Sequence, residues 1–227
     1  MRDKIVLGIT SAAGISGAGI ASDSGILAEC SFSSKAVQSE KLIILIHEVL
    51  KRTKLSIKDI DAVAVTTGPG SYSGLRGGLA AAKGLVEALK VPIISVPTLE
   101  AIAFNFIDFD GTIAIAVNAC KDDYNFSLWG SKKGGLKRMT ADITVKMNKV
   151  AEVMSKVKGK MILAADKELK NAMKNDNILF AEEKNIMPWA VNVARIGLKK
   201  LENKEVADHI TLAPSYSHKP NIREHKK

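Results

Sequence analysis

Short apolar runs rich in Ile, Val and Ala alternate along the chain with stretches in which apolar residues return every three or four positions. Runs over 4–9, 17–22 and 26–33 are parted by glycine-bearing turns at Gly14 and Ser24-Gly25, which predicts three strands in an antiparallel meander. Over 40–52 the period becomes helical: Leu42, Leu45, Ile46, Val49 and Leu50 share one face, and Ser39 is placed as the N-cap. Strands expected at 62–66 and 92–96 bracket a glycine-rich helix that starts near Ser73, and a short helix follows over 98–106. The second half reads as strands at 112–117, 124–130 and 136–140, a helix over 145–156, a strand at 161–164, a helix over 167–174 and a strand at 178–180. Pro188, at the helix-opening N1 position, leads into a last helix over 189–203, with Val193, Ile196, Gly197 and Leu201 on one face. The same βββαβα order in both halves predicts a duplicated α/β protein with lobes at 1–107 and 108–218, followed by a basic tail at 219–227.

Two of these helices carry more information than their period. In the glycine-rich one, Leu75, Leu79, Ala82, Val86 and Leu89 make the apolar stripe, and Gly77, Ala81, Gly84 and Ala88 make a second stripe almost without side chains. Each glycine inside a helix costs about 1 kcal/mol against alanine, so close packing against another helix is the expected compensation. The turn before it, Gly68-Pro69-Gly70-Ser71, also suits an anion at a helix N-terminus. Its spacing is neither that of a P-loop nor that of a dinucleotide fingerprint, which favours packing over phosphate. In the earlier helix, Ile43 and Ile44 widen the stripe to seven apolar residues out of nine between Leu42 and Leu50, more than one sheet can cover. A docking surface is therefore expected on 39–52 and 74–88, made of Leu42, Ile43, Ile44, His47, Gly74, Gly77, Gly78, Ala81, Gly84 and Ala88. The plain alternative is that both helices pack only on their own sheet.

Composition bounds the class. With 227 residues and 46% hydrophobic content the chain can bury a sizeable core, and its longest apolar runs are too short to cross a bilayer. The start leads straight into a strand with no signal-peptide pattern, and Cys30 and Cys120 are too few for a disulfide framework, so a reducing, cytoplasmic setting is expected. His47, His209, His218 and His225 form no ligand cluster, so no metal site is expected. The net charge of +9 is unevenly placed: Lys+Arg and Asp+Glu balance at 11 each in 1–110, against 22 and 13 in 111–227. A basic half with a basic tail could approach RNA, or its lysines could simply be solvated, and aromatics for base stacking are scarce at 5%.

The segment Gly68-Pro69-Gly70-Ser71-Tyr72-Ser73-Gly74-Leu75-Arg76 and its continuation to Leu85 resembles the signature of the bacterial TsaB (YeaZ) family. Ile5-Val6-Leu7-Gly8-Ile9-Thr10-Ser11, Gln38-Ser39-Glu40-Lys41-Leu42, Val117-Asn118-Ala119-Cys120-Lys121 and Ala213-Pro214-Ser215-Tyr216 extend the similarity more thinly. The resemblance implies an actin-like ATPase (ASKHA, RNase H-like) fold with two βββαβα-type lobes. It also implies a role in making threonylcarbamoyladenosine at position 37 of tRNAs that read ANN codons. The implied partners are a TsaD-like enzyme, a TsaE-like ATPase as third subunit and a second copy of the chain when alone, with tRNA reached through the complex. No cofactor is implied.

Several residues argue that the chain itself is not catalytic. Ile9 stands where the family usually keeps Asp at the end of the first strand, and an apolar side chain cannot organise a metal-bound phosphate. Gly134-Gly135 reads as a hairpin turn rather than a nucleotide loop, and the His-x-x-x-His metal helix of TsaD is not reproduced around Gln38 and His47. Ser71 and Ser73 lie in no nucleophile elbow, and Asp122-Asp123, adjacent in sequence, suit a turn better than joint acid–base work. The competing readings are a small actin-like kinase or ATPase with an atypical phosphate site, and a standalone RNA-binding module.

Overall fold

The computed structural model describes residues 2–33, 41–173 and 178–217. β1 (Ile5–Thr10), β2 (Ile15–Ser22) and β3 (Gly25–Ser33) form the antiparallel meander. β4 (Ala62–Gly68) and β5 (Ile93–Pro97) extend it in parallel, giving the order β3-β2-β1-β4-β5. Every residue of β2 and β4 is buried, because helices cover both faces of this sheet and a strand with no wet side reads as a continuous apolar run. α1 (Leu42–Thr53) and α2 (Tyr72–Leu89) lie on one face, where Leu42, Ile46 and Val49 of α1 and Leu79, Ala82 and Val86 of α2 meet Leu7, Ile9, Val63 and Val65. Ser39, the expected cap of α1, and the tail 219–227 lie outside the described residues.

The second sheet repeats the plan. β6 (Gly111–Cys120), β7 (Asp123–Lys132) and β8 (Gly135–Arg138) form a meander, and β10 (Met161–Ala165) and β11 (Ile178–Phe180) run parallel to β6. The order β11-β10-β6-β7-β8 is the first sheet's order with the corresponding strands. α4 (Met147–Ser155) and α5 (Lys167–Ala172) cover its outer face, and the duplication inferred from element order is visible in the topology itself. One expected helix, 145–156, begins instead as a strand. β9 (Ile143–Lys146) pairs with β7, since the alternation Ile143, Val145 completes an edge before the helical period takes over at Met147.

Packing crosses the boundary expected at 107/108 in both directions. α3 (Thr98–Ala103) sends Leu99, Ile102 and Ala103 against Ile113, Ile115 and Ala164 of the second sheet. α6 (Ala190–Glu202) crosses back and buries Val193, Ala194 and Ile196 on Val6, Ala62, Ala64 and Ile94 of the first. Its approach is very close: a Cβ on Gly8 would stand 2.2 Å from the Ala190 carbonyl oxygen, and one on Gly19 would stand 2.5 Å from the Val191 nitrogen. Pro188 is two residues before the first helical position, with Trp189 as the N-cap, rather than opening the helix itself. The chain then continues along the first lobe as a strap, 203–217, in which the Ala207 amide donates to the Ile93 carbonyl (2.9 Å) and the Ser215 amide to the Thr67 carbonyl (2.7 Å). Residues 190–202 thus cover the second face of the first sheet, whereas Ala207 and Leu212 of the strap join the core on its α1–α2 face.

Candidate functional site

The glycine-rich segment is explained first by what it holds in place. Gly68 has φ +123°, and a Cβ there would lie 2.1 Å from the Ser215 carbonyl oxygen, so only glycine lets the strap pass. Ser71 caps α2 by accepting from the Gly74 amide at 3.2 Å. Tyr72 and Arg76, one turn apart, grip Tyr216. The Tyr72 and Tyr216 rings stack with centroids 4.6 Å apart, Arg76 Nε donates to the Tyr216 hydroxyl at 3.0 Å, and the Arg76 guanidinium lies 3.8 Å from the Tyr72 centroid. Lys83 Nζ donates to the Ile210 carbonyl (3.1 Å) and Glu87 meets His209 (2.9 Å), so positions 72, 76, 83 and 87 form one strap-bearing flank of the helix. The helical period does not single out this flank, although the closing Pro-x-Tyr pattern points to Tyr216.

The residues expected to dock a partner fall into two groups. Leu42, Gly74 and Gly78 are buried inside the chain's own fold. Leu42 belongs to the core beneath α1, where a fully buried leucine contributes about 2 kcal/mol. A Cβ on Gly74 would stand 2.3 Å from the Ser11 carbonyl oxygen, and one on Gly78 would stand 2.1 Å from Ser11 Oγ, which itself donates to the Gly74 carbonyl at 2.7 Å. These three are corrected: the close approach that the glycines permit is to the exit of β1, not to another helix. Ile43 and Ile44 are 57% and 65% exposed, and His47 is exposed beside them. Gly84 and Ala88 are exposed, Gly77 and Ala81 half-buried, and nothing lies within 4 Å of a Cβ built on Gly84. At about 100° per residue this stripe faces away from the sheet that Leu79, Ala82 and Val86 bury. An apolar ridge on α1 and a bare ridge on α2 therefore stand side by side on the same face of the first sheet.

A cleft of about 1090 Å³ opens between the lobes at the C-terminal ends of β4 and β6. Its first-lobe wall is Ala13, Gly14, Pro69, Gly70, Ser71 and Tyr72, with no carboxylate; its acids, Asp166, Glu182 and Glu183, come from the second lobe. Asp166 is engaged as the cap of α5, accepting from the Leu169 amide at 2.9 Å, and Glu182 pairs with Lys184, which holds its carboxyl below the usual range. Lys170 Nζ, on the same wall, donates to the Ala181 carbonyl. Ile9, the last residue but one of β1, is wholly buried under α1 and α2; the strand ends on Thr10, also buried, whose hydroxyl accepts from that of Thr66 at 3.5 Å. The residues present do not reproduce a metal-and-phosphate grip on the first-lobe side. Among the described residues no group of three His, Cys, Asp or Glu could hold a metal ion. Asp122 sits in the turn and Asp123 pairs with Lys146 at 2.8 Å. Cys30 and Cys120 are free thiols, and burial pushes the Cys30 thiol up. No helix among the described residues is long and apolar enough to cross a membrane.

Comparison with known proteins agrees on one group. Residues 26–208 match the family model described as "TsaD: tRNA N6-adenosine threonylcarbamoyltransferase". The tRNA threonylcarbamoyladenosine biosynthesis protein TsaB of Buchnera aphidicola subsp. Schizaphis graminum is 30% identical over 180 residues, covering 72% of this chain and 82% of that protein. The TsaB protein of Bacillus subtilis is 28% identical over 196 residues, 84% of each. Among solved structures, YeaZ from Pseudomonas aeruginosa superposes with a TM-score of 0.80 over 94% of this chain and 99% of its own, at 16% identity, a likeness of fold.

Proposed function

The chain belongs to the TsaB (YeaZ) family, and from that premise we propose that it is a noncatalytic subunit that pairs with a TsaD-like transferase in forming threonylcarbamoyladenosine in tRNA. Taking part in that tRNA modification comes with the family. The observation that carries the pairing is the paired ridge on the first lobe: Ile43 and Ile44 more than half exposed on α1, next to the bare stripe of Gly84 and Ala88 on α2. Exposed isoleucines cost the free monomer solubility, and a helix ridge without side chains lets a partner's backbone come close, so each feature gains by being covered. The noncatalytic part is supported by a cleft whose first-lobe wall offers no acid and whose second-lobe Asp166 is occupied as a helix cap. In this reading a TsaE-like ATPase joins as third subunit, a second copy covers the ridge when the chain is alone, and the complex acts in the cytoplasm on adenosine 37 of tRNAs reading ANN codons.

Co-expression with the TsaD-like protein of the same host, followed by size-exclusion chromatography, tests the pairing. The wild-type chain is expected to elute as a complex. Ile43→Asp with Ile44→Asp is expected to weaken association at least about tenfold while the melting temperature stays within about 2 °C, as surface substitutions do. An undiminished complex would overturn the proposal. The cleft favours a second reading, a small actin-like kinase or ATPase. Micromolar binding of magnesium ATP with phosphate release by the purified chain would favour that reading over the first.

A further inference from the structure

Resting on the reading of this chain as part of a tRNA-modifying complex, we infer that the end of the second sheet opposite the cleft contacts the phosphate backbone of RNA through Lys132, Lys133, Lys137, Lys158 and Lys160. Two separate segments deliver these lysines to one edge. Lys132, Lys133 and Lys137 belong to the β7–β8 hairpin, whose tip, Lys133-Gly134, has φ +50° and +72°, the signature of a tight two-residue turn. Lys158 and Lys160 belong to the loop that leads into β10. The start of β6 ties the segments together: the Thr112 amide donates to the Lys160 carbonyl at 2.9 Å, and Gly111 is in register with Ser131, the neighbour of Lys132. Lys160 and Lys132 therefore flank β6 two strand spacings apart, about 10 Å.

The charge of this edge is not neutralised within the chain. All five lysines are exposed, and none has an acidic side chain within salt-bridge distance among the described residues. Several other lysines of the second lobe are paired, Lys146 with Asp123, Lys149 and Lys156 with Glu152, and Lys184 with Glu182, whereas exposed Lys121 and Lys167 stand singly on separate segments. Among the described residues the acids at the edge are Asp108 and Asp110, and the Asp110 carboxylate accepts from the Lys133 amide at 3.1 Å. Five cations against two anions leave a local excess of three among those residues. Lysine is depleted from protein–protein interfaces, whereas solvated cations on flexible stems suit phosphate oxygens, which are contacted without base stacking. The edge lies on the other lobe from the α1–α2 ridge, so a protein partner and RNA could be held together.

Fluorescence anisotropy with an unmodified tRNA transcript tests this on the full-length chain, alone and with the TsaD-like protein, at about 50 and about 200 mM salt. The variant carries Lys133→Asn, which suits the left-handed turn position better than lysine, together with Lys132→Gln, Lys137→Gln, Lys158→Gln and Lys160→Gln. Expected is an affinity loss of at least about tenfold at the lower salt and a dependence of log affinity on log salt shallower by about 2 to 4, with melting temperature and partner binding unchanged. Unchanged RNA affinity and salt slope with partner binding retained would overturn the inference and leave the pairing intact. Loss of RNA binding on deleting 219–227 alone would move the contact to the tail and overturn it too. Loss of partner binding with RNA affinity retained would mark the edge as a protein interface and overturn the RNA contact as well. A wild-type chain that never associates with the TsaD-like protein would instead count against the pairing.

Discussion

α2 holds two kinds of glycine, and the contrast between them separates what the glycine-rich segment does for the fold from what it leaves free. Gly74 and Gly78 face inward, onto Ser11 at the end of β1, at distances no side chain could share. Gly84 faces outward with nothing within 4 Å. One residue type on one helix thus serves a close internal contact and an open surface. The same substitution should therefore have opposite signs at the two places. Gly74→Ala would drive a methyl group into the Ser11 carbonyl, which is backbone and cannot swing aside, and would disturb the Ser11–Gly74 hydrogen bond as well. A loss of about 3 kcal/mol or more is expected from overpacking and a displaced strand end, read as a lowered urea midpoint. A loss below about 1 kcal/mol would mean that the two backbones can part easily, and the contrast would fail.

The flank bearing the strap comes next in size. Tyr216→Ala removes the stacked ring on Tyr72 and the acceptor of Arg76, and about 2 kcal/mol is expected from the lost ring contact and buried area. The loss should be local before it is global. Limited proteolysis should cut within 203–217 faster than in the wild-type chain, while the cores of both sheets stay protected. Equal cutting rates would show that the contacts at Ala207, His209, Ile210 and Ser215 hold the strap without Tyr216.

At the outward position Gly84→Ala is expected to stabilise the isolated chain by about 1 kcal/mol, since alanine gains helix propensity and meets no neighbour. The melting temperature should rise by about 2 to 4 °C. Gly84→Leu should leave the fold equally intact but weaken association with a TsaD-like protein at least about tenfold, because it places a branched side chain on the bare ridge. A destabilised Gly84→Ala variant would mean that the ridge is already covered.

The division between these positions is only partly legible in the sequence. The helical period locates α2, its core stripe and the bare stripe, because those follow from local geometry. It cannot separate Gly74 and Gly78 from Gly84, since the atom that fills the space beside them, Ser11, lies more than sixty residues away in the chain. Leu42 groups with Ile43 and Ile44 for the same reason: an over-wide apolar face does not say which edge the sheet takes. Repeated element order reveals two matching sheets, yet not that α6 returns to the first, which depends on the close fit of its backbone over Gly8 and Gly19. Ile9, expected at the end of the first strand, lies one residue before it, because a run buried on both faces gives no alternation to mark where the strand stops. The lysine-rich edge of the second sheet is foreshadowed only as an excess of charge in the second half, because pairing of lysines with acids is a tertiary property.

The smallest expected effect also distinguishes the two flanks of α2. Glu87 on the strap side is held below the ordinary glutamate range, first by the hydrogen bond from Lys90 and then by that from His209, whereas the bare stripe carries no ionisable group. A depressed carboxyl contributes stability that is fully present above its unfolded value and is lost as pH falls through the lower folded value. Acidification below the ordinary glutamate range should therefore loosen the 207–210 part of the strap slightly. Hydrogen exchange at the Ala207 amide, which donates to the Ile93 carbonyl, reads this once corrected for intrinsic rates. Protection is expected to fall at acid pH in the wild-type chain and to become insensitive to pH in Glu87→Gln. The same acid sensitivity in both would assign it to Asp208, which accepts from the Ile210 amide and the Thr211 hydroxyl, and would remove Glu87 from the strap's attachment.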